Sequence, residues 1–278
     1  MFAVQKAGIA WPSQYNQGFS KAFNVPGNDL GWWWNWAPRP LRGSDKASPP
    51  GQYAGTVFQA DTDTSVIPAE CPVLTFNEPD KCGPGQTCMI KEGNLKASMP
   101  GLVDNWVKAV VPLIKNGRDV GSPAPADRTI EFLTEFFAVC KARTDCKLPT
   151  FISMHAYVRT AEELQKLVTD VHNAFKMPIW LTEFACHHFG SDWTPTQEYV
   201  HSFMGTAFSR RKIDSQLRMP IQGATTKWLD KQPFVQRYSW LGAGKMEHLI
   251  GVNKFCRLQD DDGNLTALGR QYVFRRYN

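Results

Sequence analysis

The sequence predicts an α/β chain folded as one closed (β/α)8 barrel, a TIM barrel, with residues 1–278 forming a single domain. Three observations carry that expectation. Eight short β-rich runs recur along the chain, segments of helical period separate them, and no glycine-rich turn follows the first run. Strands separated by helices pair in parallel through right-handed crossovers. Eight such units close into a barrel of roughly 250 residues. The rival, an open doubly wound sheet, would place a glycine-rich phosphate turn after its first strand. Trp11-Pro12-Ser13 is not such a turn.

Taken in order, the first two strands are expected at residues 6–11 and 30–36, the second carrying Trp32, Trp33, Trp34, Asn35 and Trp36. Side chains alternate along a strand, so at least one of these indoles should pack beneath the outer helices. Residues 37–55 are rich in Pro, Gly and Ser and read as a loop. The third and fourth strands follow at 56–60 and 71–77. Leu102, Trp106, Ala109, Val110 and Leu113 then share one helical face after a cap at Ser98, which makes Trp106 a core residue.

The fifth strand is expected at 119–122, and the stripe Ile130, Leu133, Phe137 and Cys140 predicts the next helix. After the sixth strand, at 150–156, Thr160-Ala161-Glu162-Glu163 is a capping box. It opens the stripe Leu164, Leu167, Val168, Val171 and Phe175. The seventh strand spans 178–183. Thr194-Pro195 then sets a proline at the first position of a helix bearing Val200, Phe203, Met204 and Ala207. The eighth strand is expected at 235–240.

Composition narrows the function. Hydrophobic residues at 42% with 21% charged residues exclude intrinsic disorder. No apolar run approaches the roughly 18 residues that a bilayer span needs, so no membrane partner is expected. The net charge of +5 is scattered, and the basic clusters Arg210-Arg211-Lys212 and Arg275-Arg276 each sit at the end of an expected helix. Cations there complement the helix dipole, so no nucleic-acid partner is expected either. Ten tryptophans are the more informative excess, because indoles serve both cores and sugar-stacking surfaces.

Seven cysteines leave at least one thiol free or intermolecular. The spacings Cys82 to Cys88 and Cys140 to Cys146 are compatible with disulfides, although spacing alone does not fix connectivity. There is no Cys-x-x-Cys pair, and the side chains of the neighbours Cys186, His187 and His188 should diverge, so no metal and no other cofactor is expected. The sequence opens without a charged segment followed by an apolar stretch. With these cysteines, the expectation is a secreted, extracellular protein whose signal peptide is absent from this sequence.

In a barrel, reactive groups project from the carboxyl ends of the strands. Those ends carry Trp11, Asn35, Trp36, Asn77, Glu78, His155, Tyr157, Glu183 and Trp240. Glu78 follows Val73-Leu74-Thr75-Phe76 and precedes Pro79, and Glu183 ends the run Ile179-Trp180-Leu181-Thr182. A single strand-terminal Glu is more often a salt-bridged surface group. Two of them beside aromatic residues suit glycoside hydrolysis, with one as proton donor and the other stabilising or attacking the anomeric carbon. Gly242-Ala243-Gly244-Lys245 is too short to signal a phosphate site, and Asp260-Asp261-Asp262-Gly263 lacks the rest of a calcium loop.

These local words carry a resemblance. Asn77-Glu78-Pro79 with a lone Glu at the seventh strand is similar to the clan A retaining glycosidases. The ordered segments 7–12, 32–36, 76–80, 153–157, 180–184, 235–240 and 262–269 look like those of glycoside hydrolase family 128. The resemblance implies a β-1,3-glucanase with Glu183 as nucleophile and Glu78 as general acid/base. It also implies that Asn77 bonds the sugar 2-hydroxyl and Tyr157 donates to Glu183. His155 would line the rim, and Asn35, Trp36, Trp180 and Trp240 would contact or shape the substrate site. The partner implied is a β-1,3-glucan polysaccharide or oligosaccharide, and a monomer is expected.

On physical grounds Glu183 should be held ionised by its donors, and Glu78 held protonated by burial and by the charge of Glu183. The third-strand region, 57–64, departs from the family's pattern, which leaves the substrate contacts from that loop open. The alternative is a β-glucan oligosaccharide-binding protein on the same barrel that does not hydrolyse. A metal-dependent hydrolase using Cys186, His187 and His188 ranks last.

Overall fold

Apolar runs become strands at nearly every place the sequence predicts. The computed structural model describes residues 5–12, 18–40, 47–83, 85–91, 93–205, 225–249 and 251–274. Among them are β1 (Ala7–Ala10), β2 (Trp32–Trp34) and β3, which runs in two short pieces, Gln52–Tyr53 and Gly55–Val57. Then come β4 (Val73–Asn77), β5 (Val120–Ala124), β6 (Ile152–Val158), β7 (Ile179–Cys186) and β8 (Val235–Trp240).

All ladders between them are parallel. β1 pairs with β2 on one side and β8 on the other, β7 pairs with β8, and β6 with β7. The first piece of β3 pairs with β2 and the second with β4, which pairs in turn with β5. A bridge between Gly121 and Phe151 joins β5 to β6, reinforced by Thr150 N–H to Val120 O at 2.8 Å and Ser122 N–H to Phe151 O at 3.0 Å. The two pieces of β3 are separated by Ala54 alone, whose N–H donates to Trp33 O at 2.9 Å. The ring therefore closes, as a (β/α)8 barrel.

The third strand corrects the sequence reading in one respect. It was expected at 56–60 with 37–55 as loop, yet it begins at Gln52 and ends at Val57. Gly51 explains the misreading. At φ +89° it lets two backbones meet, since a Cβ there would lie 2.2 Å from the Gly31 carbonyl carbon. A glycine that reads as a loop marker is a close strand approach.

The helices are α1 (Leu95–Ala109), α2 (Val111–Lys115), α3 (Thr129–Lys141), α4 (Ala161–Phe175), α5 (Gln197–Met204), α6 (Thr225–Lys231) and α7 (Ala267–Phe274). The capping box opening α4 is present in both directions, with Thr160 Oγ1 accepting from Glu163 N–H and the Glu163 carboxylate accepting from Thr160 N–H. Two helix starts differ from expectation. α1 is capped at Asn94, so Ser98 lies inside it, and the helix breaks at Val110 before restarting around Pro112. α5 is capped by Thr196, whose hydroxyl accepts from Tyr199 N–H at 3.2 Å, leaving Pro195 before the cap. Arg210-Arg211-Lys212, Arg275-Arg276 and Ala207 lie outside the described residues.

Alternation along β2 sorts the tryptophans. Trp32 and Trp34 join Ala10, Ala54, Leu74, Phe151 and Trp180 in a buried cluster, while Trp33 packs with Trp11 and Tyr53 in the larger core shared with the helices. Trp106 is fully buried in that larger core against Phe76 and Phe136, as its helical stripe predicts. Cys82 is bonded to Cys88 and Cys140 to Cys146, while Cys71, Cys186 and Cys256 are free and buried. Among the described residues no helix is long and apolar enough to cross a membrane.

Candidate active site

The ends of β2, β4, β6 and β7 bring the site together, and each delivers its side chain by a local irregularity. Beyond β2, Asn35 is buried and fastens the turn. Its Oδ1 accepts from Tyr53 Oη at 2.7 Å and from Ala37 N–H at 3.3 Å, and its Nδ2 donates to Arg39 O at 3.3 Å. Asn35 thus presents its neighbour Trp36, which adopts φ +56° and packs on Trp34 with centroids 4.4 Å apart. The Trp36 indole donates to Glu183 Oε1 at 2.8 Å.

Glu78 leaves the end of β4 with φ +42°, preceded by Phe76 at φ +30°. Left-handed backbone costs about 1–3 kcal/mol at such residues and persists only where surroundings enforce it. Here Glu78 N–H donates to Ala124 O at 2.9 Å and its carbonyl accepts from Lys81 N–H at 3.0 Å. The loop beyond is tied by the Cys82–Cys88 bridge and by Ile90 N–H to Pro79 O at 2.8 Å. Asp80 accepts from the N–H groups of Ala126 and Asp127 at 2.8 and 3.1 Å, binding this loop to the one entering α3. Burial pushes the Asp80 carboxyl up, although those two donors oppose it.

Between β6 and β7 the register slips. Met154 pairs with Leu181, but His155 pairs with Glu183, so Thr182 is the extra residue and its hydroxyl donates to Met154 O at 3.2 Å. A bulge re-aims the side chain that follows it. Here it places Glu183 level with His155 and one step from Tyr157.

The result is a compact polar cluster. His155 Nδ1 lies 3.0 Å from Glu78 Oε1, and its Nε2 lies 3.5 Å from Glu183 Oε1. Tyr157 Oη donates to Glu183 Oε2. One ligand atom from each of Glu78, His155 and Glu183 falls within 4.8 Å of the other two. His155 Nδ1 is engaged by Glu78, whereas Nε2 is buried 3.5 Å from Glu183 Oε1 with no hydrogen-bond partner among the described residues. A cavity of about 530 Å³ adjoins it, with His155 and Tyr157 in its wall beside residues 126–131.

Electrostatics follow from burial. The Glu183 side chain is 6% exposed and that of Glu78 is 22%. The desolvation expected at Glu78 therefore falls on Glu183. Burial pushes the Glu183 carboxyl up and the Glu78 charge adds to this, while His155, Tyr157 and Trp36 pull it down. Burial alone would lower the His155 imidazole, but Glu183 and Glu78 outweigh it and raise it. Burial, with the Glu183 and Glu78 charges, holds the Tyr157 hydroxyl well above its usual value, keeping it a donor.

Of the residues singled out in the sequence, Glu78, Glu183, His155, Tyr157 and Trp36 converge, and half-buried Asn77 stands beside Glu78 with no side-chain partner among the described residues. Three do not converge. Asn35 is buried and spends its amide on the β2 turn. Trp180 lies near the amino end of β7, stacked on Phe151 at 4.1 Å and covered by Arg237 at 4.2 Å. Trp240 is fully buried among the helices, donating to Cys256 O at 2.8 Å and packing on Phe184. Both are core residues, because outward or deep-facing positions on a strand do not reach its mouth. Cys186, His187 and His188 do not converge on a common point among the described residues. Sequence reasoning missed Tyr53 and Asp80. Tyr53 lies in the segment read as loop, and nothing local to Asp80 points to the distant amides it caps.

Comparisons with known proteins agree with this architecture. The glycosyl hydrolase catalytic core family matches residues 8–272. Alkali-sensitive linkage protein 1 of Schizosaccharomyces pombe is 28% identical over 275 residues, covering 96% of this chain and 44% of that protein. The chain thus spans less than half the length of this curated relative. A family 128 (subgroup V) exo-β-1,3-glucanase from Cryptococcus neoformans superposes with a TM-score of 0.75 at 27% identity, covering 98% of this chain and 100% of the other. A subgroup VII oligosaccharide-binding protein from the same organism gives 0.67 at 17% identity, covering 99% and 96%, a likeness of fold alone. Matched from its first strand to its last helix and sharing its barrel with these structures, the chain belongs to the glycosyl hydrolase catalytic core family, within glycoside hydrolase family 128.

Proposed function

We propose that this chain is a retaining glycoside hydrolase cleaving β-1,3-glucan, with Glu183 as nucleophile and Glu78 as acid/base. One observation carries the reading: carboxylate oxygens of Glu78 and Glu183 within 4.8 Å, with His155 touching both. Retaining enzymes hold their carboxyl groups about 5–5.5 Å apart, whereas inversion needs roughly 6.5–9.5 Å to admit a water.

In the first step a Glu183 oxygen bonds to the anomeric carbon as the glycosidic C–O bond breaks and the leaving oxygen takes the Glu78 proton. In the second, Glu78 takes a proton from water, whose oxygen attacks the same carbon and releases Glu183. Trp36 and Tyr157 keep Glu183 in one rotamer and favour its ionised form against burial. Protonated His155 offsets the charge of whichever carboxylate is ionised. Asn77, with no side-chain partner among the described residues, would bond the sugar 2-hydroxyl. The two disulfides support an oxidising, extracellular setting.

The test is product stereochemistry followed by NMR on a soluble β-1,3-glucan. The β-anomer should form first, and Glu183→Gln and Glu78→Gln should each nearly abolish turnover while keeping the fold. First release of the α-anomer, or near-normal activity in either variant, overturns the assignment. A second reading, a non-hydrolysing oligosaccharide binder, is favoured by the burial that pushes Glu183 toward its protonated, non-nucleophilic form. Calorimetric binding of a β-1,3-linked oligosaccharide without release of reducing ends would select it.

A further inference from the structure

Phe189 lies in the loop leaving β7 and is 48% exposed. Singly exposed apolar side chains are ordinary on protein surfaces, so exposure alone carries nothing. Three contacts set this one apart. The ring stands edge-on to Tyr157, with centroids 4.9 Å apart and planes at 74°, and Tyr157 is the residue whose hydroxyl donates to Glu183. It stands edge-on to His187 at 4.3 Å and 77°. Its Cε1 rests against Gly251, where an added Cβ would lie only 3.2 Å away and where φ is +75°.

A ring held at three points has little rotamer freedom left to lose when something stacks on it, which favours binding. Burial, with the neighbouring His188, pulls the His187 imidazole down, which favours its neutral form beside the ring. What the ring offers is apolar surface with a negative π face, set against the Tyr157 ring whose hydroxyl donates to Glu183. The matching chemistry is the C–H face of a β-linked glucosyl ring, whose hydrogens carry partial positive charge.

We propose that Phe189 is the stacking platform for the glucosyl unit next to the one held between Glu78 and Glu183, and so a determinant of chain-length preference. The proposal rests on the hydrolase reading for the placement of the sugar chain. Phe189 touches neither carboxylate, and its effect should fall on substrate binding while the chemistry is spared.

Phe189→Ala and Phe189→Tyr are compared with the unaltered chain on a β-1,3-linked hexasaccharide. In Phe189→Ala, KM should rise roughly three- to tenfold, the size of an aromatic contact, with kcat changed by less than about twofold. Phe189→Tyr should restore KM. An unchanged KM in Phe189→Ala, or a kcat that falls with KM left alone, overturns the proposal. If the unaltered chain cleaves nothing, the hydrolase reading fails by itself, and calorimetry with the same hexasaccharide decides the platform. Affinity lowered by the same factor in Phe189→Ala upholds it, and equal affinity, or no binding to either chain, overturns it.

Discussion

Replacing Tyr157 with Phe isolates what the phenol does for the buried carboxylate. The ring stays, keeping its edge contacts, and only the hydroxyl that donates to Glu183 Oε2 is lost. A hydrogen bond to a charged group contributes about 1.5–3 kcal/mol, which corresponds to roughly ten- to hundredfold in rate if it acts on the ionised nucleophile. The direction with pH follows from the same bond. Burial already pushes the Glu183 carboxyl up, and Tyr157 is one of the groups opposing it. Removing the donor raises that carboxyl further, so a smaller fraction is ionised at low pH. The acidic limb of kcat/KM against pH should therefore move to higher pH in Tyr157→Phe. The loss of activity should be greatest in acid and shrink as pH rises. Initial rates on a soluble β-1,3-glucan across pH 4–8, with thermal melts of both proteins, measure it. An acidic limb that stays in place, at unchanged melting temperature, would refute the argument that Tyr157 favours the ionised form.

Three further outcomes are expected. Replacing both Cys82 and Cys88 with Ala removes the closure of a short loop, with an expected cost of about 2 kcal/mol. Because that loop holds the strained turn at Glu78, kcat should drop alongside the melting temperature. Trp34→Ala empties part of the barrel's inner cluster and should destabilise by about 3–5 kcal/mol in denaturant titration. For pH and stability, the folded-state values of both His155 and Glu183 are raised. Their contribution is thus fully present below the unfolded values and is lost as pH rises through the folded ones. The fall in melting temperature between pH 5 and 8 should flatten in His155→Gln.

Much of this molecule can be read without coordinates, and the limits have physical causes. Strands β4 and β7 are largely apolar runs buried along almost their whole length, the signature of parallel strands covered on both faces, so their positions are plain. Glu78, Glu183, His155 and Tyr157 follow from strand ends alone, because a barrel brings every such end to one mouth. Trp180 and Trp240 fail for the complementary reason. A residue's place along a strand says which rim it is near, but its face and depth depend on a register that only the paired strand fixes, and the β7–β8 ladder slips between Ile179 and Trp180 and again between Leu181 and Phe184. The start of β3 was hidden because Gly51 serves a close approach that only the folded neighbour, Gly31, makes visible. Burial was assigned to the wrong carboxylate because it depends on what Trp36 and the β2 turn cover, and that is set by contacts distant in sequence.

The divided third strand makes the ring mechanically uneven. Its two ladders span two and three residues, while β7 alone is eight residues long and is paired along both edges. Protection against amide hydrogen exchange should accordingly be weakest at residues 52–57 and strongest at 179–186. Trp36 reaches Glu183 from the softer side of this seam, whereas His155 and Tyr157 reach it from the firmer one. A fluctuation that parts the seam loosens one of the groups holding Glu183 and leaves the others in place, so the mouth can widen without dismantling the polar cluster.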